Sequence, residues 1–260
     1  MTTVNPYAAP KAAVADETFA LNADLVPGGQ SRPIGNGWTW IADGWDLFKR
    51  QPGMWIGIIL LLFVIMIAGA FIPVVGGLLM SLFGPVFAAG IVTGCKTLDT
   101  GGELEIGHLF AGFREKTGTL VAVGGIYLAA SLVVMLVVGL IMGVGMFTMM
   151  GGDQAQMAAL GMTMVLAMLI MFALLLPVVM AIWFAAPLVV FHDHGAVDAM
   201  KGSFTGCLKN LLPFLWYGVL LFLFSIVASL PLLLGWLVLG PVLAASVYTS
   251  YRDIYLKPRQ

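Results

Sequence analysis

The sequence predicts an all-α protein, a polytopic transmembrane helical bundle of six spans, on three observations. First, 60% of the 260 residues are hydrophobic and 10% are charged, with a mean hydropathy of +1.01. A soluble domain carries about 25% charged residues, so lipid must be part of the solvent here. Second, the apolar residues gather into three blocks, Met54 to Cys95, Thr117 to Phe191 and Leu211 to Tyr251. Third, all 12 basic residues fall on segments that face one side of those blocks.

Residues 1–36 read as a disordered cytoplasmic tail, polar and rich in Ala, Pro and Gly, with too little apolar surface to offset the entropy of ordering. The tail lacks the basic and apolar regions of a signal peptide, so the first span serves as its own insertion signal. A membrane domain over 37–256 follows, and 257–260 form a C-terminal cytoplasmic tail.

The outer blocks hold 42 and 41 residues. A helical span needs about 20, so each is a hairpin of two spans. Pro73 and Pro231 lie mid-block, where the turns are expected. The middle block of 75 residues is interrupted only by Met149-Met150-Gly-Gly-Asp153-Gln-Ala-Gln156. It reads as two long helices that protrude or tilt, with apolar helices on the outer interface as the alternative. Lys49, Arg50, Lys96, Arg114, Lys116, Lys201, Lys209 and Arg252 all border the same side, and the three opposite turns carry no basic residue. The positive-inside rule makes that side, and both termini, cytoplasmic. Trp38, Trp40, Trp45 and Trp55 sit at block edges as expected interfacial anchors.

Each block follows a short amphipathic segment: Trp38, Ile41, Trp45 and Phe48; Ile106, Leu109, Phe110 and Phe113; Val197, Met200, Phe204 and Leu208. Steps of three and four residues put these side chains on one helix face, suited to lying flat at the interface. The second span of each block repeats a phrase, Gly84-Pro-Val-Phe, Ala186-Pro-Leu-Val and Gly240-Pro-Val-Leu. The expectation is a threefold repeat of interfacial helix plus helical hairpin, over about 37–95, 103–194 and 196–254. Parallel repeats surround an axis along the membrane normal.

Asn5-Pro-Tyr-Ala-Ala-Pro10, Gly37-Trp-Thr-Trp-Ile41 and Glu103-Leu-Glu-Ile-Gly-His-Leu-Phe-Ala-Gly-Phe-Arg114 carry a resemblance across most of the chain. It resembles an uncharacterised family of multi-pass inner-membrane proteins of Gram-negative bacteria. More distantly, Val197-Asp-Ala-Met-Lys-Gly-Ser203 with Lys209-Asn210 is similar to the membrane domain attached to some glycerophosphodiester phosphodiesterases. The resemblance implies an inner-membrane location and transfers no activity.

Metal ligands would come from His192, Asp193, His194 and His108, or, for Cu(I), from a methionine group around Met149 and Met150. Imidazoles at i and i+2 cannot share a helix face, and the Met spacing is not a repeated motif. A polar helix end and flexible packing are the simpler readings. Cys95 and Cys207 are too far apart for a zinc or disulfide framework. Small-residue pairs, Gly90 with Gly94 and Gly139 with Gly143, permit close helix approach.

No Asp, Glu, Lys, Arg or His lies within Met54–Cys95 or Leu211–Tyr251, which disfavours an ion-coupled carrier. No nucleophile elbow, His-Glu-x-x-His or phosphate loop occurs, and a net charge of −1 offers no field for nucleic acid. The expectation is a non-enzymatic protein without cofactor. Membrane lipids and a membrane-protein partner or second copy would be its contacts. The competing expectations are a transporter or channel for an uncharged or lipid-like solute, with Ser131, Ser225, Ser229, Ser246, Tyr127 and Tyr217 along its path, and copper handling.

Overall fold

The computed structural model describes residues 25–114, 116–147 and 154–257. Among them the chain forms nine α-helices: α1 (Asn36–Arg50), α2 (Pro52–Ala70), α3 (Val75–Asp99), α4 (Thr117–Phe147), α5 (Gln154–Trp183), α6 (Ala185–His192), α7 (Ala196–Lys209), α8 (Leu211–Ser229) and α9 (Trp236–Tyr255). A 3-10 helix, Ile106–Phe113, stands where the second amphipathic segment was expected. Two glycines in eight residues weaken the α alternative, and Leu109 is its buried anchor.

Among the described residues, five helical stretches are long and apolar enough to cross a membrane: α2, α3, α4, the run Gly161–His192 and α8. Helix α9 has comparable length, but its last two turns carry Ser250, Tyr251, Arg252 and Asp253. The turns fall at Pro73 and Pro231, where Val74, Leu232 and Leu233 take positive φ. Helices α4 and α5 are continuous, with 31 and 30 residues. At 1.5 Å per residue they run about 45 Å, against about 30 Å of hydrocarbon.

The core gathers at one end of the bundle. Helix α3 is buried mainly from Pro85 onward and α9 from Pro241 onward, while nearly all of α6 is buried, around Pro187. The repeated proline phrase therefore marks where the second helix of each hairpin leaves its exposed half. From there α3 packs on the 3-10 helix, α6 on α7, and α9 on α1. Glycines make the approach close. A Cβ on Gly112 would stand 2.3 Å from the Val86 carbonyl oxygen, and one on Gly44 would stand 2.8 Å from that of Val242.

One contact explains the boundary between α5 and α6. The Ser203 hydroxyl, fully buried on α7, donates to the Met180 carbonyl (2.6 Å) and accepts from the Phe184 amide (2.8 Å). In an unbroken helix those two backbone groups would bond each other. The inserted hydroxyl replaces that rung and keeps both satisfied.

The expected tail needs a correction, because residues 25–32 are fastened to the rest of the chain. Leu25 pairs with Leu256 in an antiparallel bridge, and the Val26 amide donates to the Tyr255 carbonyl at 2.7 Å. Arg32 pairs with Asp253 at 2.9 Å. Buried Asn210 accepts from the Arg32 amide and donates to the carbonyls of Gln30 and Gly206. Composition missed this strap because its partners are specific polar groups rather than apolar area.

Candidate functional site

The four tryptophans expected as anchors divide in two. Trp38 and Trp45 are 51% and 43% exposed, whereas Trp40 and Trp55 are buried, so burial within the protein corrects their reading as headgroup contacts. The Trp40 indole N–H donates to Asp253 (2.8 Å) and its ring packs on Phe214 at 5.0 Å. The Trp55 N–H donates to the Leu47 carbonyl.

Asp253 also accepts from Asn36 at 2.7 Å. Beside it, Arg252 donates to Asp99 (2.6 Å) and Asp43 (2.9 Å), joining α9 to the end of α3 and the middle of α1. Burial raises the Asp43 carboxyl above its usual range, and Arg252 opposes that shift. Tyr248 donates to the other oxygen of Asp99 at 3.1 Å. Sequence reading missed Asp43, Asp99, Arg252 and Asp253 as a group. Their signal was faint: charged residues on helices whose partners lie more than a hundred residues away.

The metal candidates are not assembled. Asp193, in a left-handed helix cap, is paired with Lys116, and His192 Nε2 meets the Tyr251 hydroxyl. His108 shares a hydrogen bond with Thr97 and accepts from the Glu105 amide. The Nδ1 atoms of His192 and His194 have no hydrogen-bond partner among the described residues. No three His, Cys, Asp or Glu side chains group as a metal would require among those residues. Met149 and Met150 lie outside the described residues. Burial pushes the Cys207 thiol up to about 12, so it stays protonated at neutral pH.

The polar residues expected along a solute path have separate local partners where they have any. Ser225 and Ser229 donate to carbonyls of their own helix, and the Tyr217 and Ser246 hydroxyls meet at 2.6 Å between α8 and α9. Buried Ser131 Oγ has no partner among the described residues.

What the fold does build is an apolar groove. At the turn, Gly235 is pressed against Ala228, where a Cβ would stand 2.5 Å from its Cα. At the other end α1 wedges between the hairpin arms, with Gly37 against Pro213 and Gly44 against Val242. Between these tight points the arms leave about 520 Å³, walled by Trp38, Ile41 and Trp45, by Phe224 and Val227 of α8, and by Leu239 of α9. A second apolar groove of about 240 Å³ lies between α5 and α8, beside Trp183 and Phe214. The larger falls within the roughly 300–1,000 Å³ of ordinary ligand clefts.

Apolar helices of spanning length around one buried layer define a multi-pass integral membrane protein. No family model and no solved structure matches the chain. Over 220 residues it is 30% identical to a probable inner membrane protein of Burkholderia thailandensis, covering 82% of this chain and 80% of that one. The chain belongs to that family of inner-membrane proteins.

Proposed function

We propose that this is a non-enzymatic inner-membrane protein that works through lipid contacts, with a membrane-protein partner or second copy as its further contact. The observation that carries the reading is the apolar groove between α1, α8 and α9, with half-exposed Trp38 and Trp45 at its edge. Indoles favour the bilayer interface, and apolar walls suit acyl chains and repel water.

The reading includes six spans. Leu25 and Leu256 are bridged, which holds the two ends of the membrane domain together and supports an even number of crossings. Five helices of spanning character then call for a sixth, and α9 is the remaining helix of that length. The one-sided basic residues favour cytoplasmic termini. Three parallel repeats are supported by the cyclic packing, in which each hairpin's second helix meets the next repeat's interfacial segment and α9 closes the ring on α1.

Native mass spectrometry of the full chain in mild detergent tests the function. Bound phospholipid is expected, reduced severalfold in Trp38→Ala with Trp45→Ala. A bare monomer from wild type overturns the reading. A fluorescent reporter after Gln260 is expected to light up in the cytoplasm, and a reporter active only outside inverts the topology.

A further inference from the structure

A third groove, of about 270 Å³, lies where α7 crosses α4 and α5. Its lining is Ile126, Ala181, Val197, Met200 and Phe204, with one charged side chain, Lys201. Several other basic residues around the layer are committed. Lys49 pairs with Asp46, Lys116 with Asp193, and Arg252 with Asp43 and Asp99. Arg50 donates to the Leu98 carbonyl, and Lys209 to that of Gly29. The Lys201 ammonium forms no ion pair among the described residues, and the residue is exposed.

We propose that this groove binds an anionic phospholipid, its acyl chain along Phe204, Met200 and Ile126 and its phosphate on Lys201. The proposal rests on the lipid-contact reading and names the headgroup that one site selects. Charge complementarity decides the occupant. An apolar trough ending at an uncommitted ammonium matches a molecule with a long apolar body and an anionic head. Helix α7 supplies both parts from one surface, since Val197, Met200, Lys201 and Phe204 are three or four residues apart. The Lys stem lies along apolar surface while its charge reaches the headgroup level. Ile126 is nine residues into α4, about 13 Å along its axis, so the groove continues from the interfacial helix along the span.

The full chain in mild detergent is titrated with phosphatidylglycerol and with phosphatidylcholine of identical acyl chains, and bound lipid is counted by native mass spectrometry. Wild type is expected to prefer phosphatidylglycerol by about fivefold, the effect of one cation at a headgroup. Lys201→Gln is expected to abolish the preference while still holding phosphatidylcholine, Lys201→Arg to keep it, and Lys257→Gln to leave it unchanged. Equal retention of both lipids by wild type, or an undiminished preference in Lys201→Gln, overturns the headgroup assignment and leaves lipid contact standing. Loss of both lipids from wild type overturns the two readings together.

Discussion

Two glycine pairs with the same spacing meet opposite fates in this molecule. Gly90 and Gly94 on α3 press against the 3-10 segment. A Cβ on Gly90 would stand 2.4 Å from the carbonyl oxygens of His108 and Leu109, and one on Gly94 would stand 2.5 Å from Leu104. Gly139 and Gly143 on α4 have nothing among the described residues within 4 Å of the same position. Around the second pair, Leu136, Leu140 and Val144 are each more than 60% exposed, while around the first, Ala89 and Val92 are buried. The bundle thus joins a tightly packed end to the far half of α4, whose large apolar side chains are mostly exposed. The lesson concerns solvent. Lipid tails are as apolar as Leu, so hydropathy marks a lipid-facing helix and a buried one alike.

The sharpest way to break the comparison is Gly90→Leu against Gly139→Leu. The first drives a side chain into backbone that cannot yield. It should cost on the order of 4 kcal/mol or more, seen as loss of folded protein in detergent. The second adds a side chain facing open space and should leave the melting temperature within a few degrees. Equal effects would remove the distinction between the two ends.

Next in size is the polar fastening of the packed end. Asp253→Ala takes the acceptor from Arg32, Asn36 and the Trp40 indole at once. It should cost about 2–3 kcal/mol. Hydrogen exchange at the amides of Val26 and Gln30, now bonded to Tyr255 and Ile254 carbonyls, should accelerate as the strap loosens. Unchanged exchange would mean that the bridge between Leu25 and Leu256 holds the strap alone.

Smaller again is Ser203→Ala, which removes the hydroxyl set into the helix break and should cost about 1–2 kcal/mol by scanning fluorimetry. Thr205→Ala on the same helix is the control. That hydroxyl bonds only its own Lys201 carbonyl, and its loss should stay within about 0.5 kcal/mol. A Ser203→Ala variant as stable as the control would show that the helix closes over the break without penalty.

The hairpins were legible because a span requires about 20 apolar residues, a constraint written plainly in composition. Pro73 and Pro231 marked their turns for the same reason. The buried layer was not legible. Trp38 and Trp40 are the same residue two positions apart, and only the arrival of Phe214 and Asp253 makes one of them core. The C-terminal half of α9 read as membrane because it closes the third apolar block at Tyr251. In the fold, Tyr251 stacks on Tyr255 and packs against Phe191, so those rings are interior. Ser203 lay inside a stretch quoted only for resemblance, since nothing local reveals that its partners are on α5. The grooves depend on three helices each, so they were out of reach of any pattern along one segment.

The smallest effect asks whether the outer hairpin is bare. Gly in an exposed helix interior is less favourable than Ala by roughly 0.5–1 kcal/mol, because it leaves more backbone freedom in the unfolded chain. With no described residue near either site, Gly139→Ala and Gly143→Ala should each raise stability by about that amount, read as a slightly higher melting temperature in detergent. The sign carries the information. A fall would mean that another helix approaches this face closely enough for a methyl group to push it away. Among the described residues nothing comes that near, and a second copy or a partner is one source of such a helix. The small residues would then serve as a helix–helix contact. Size-exclusion chromatography with light scattering on the same two variants separates the cases. A fall in stability that accompanies a shift to monomer locates the contact between copies. A rise with unchanged mass leaves the α4 face to lipid, and the two ends of the bundle remain as different as their glycines.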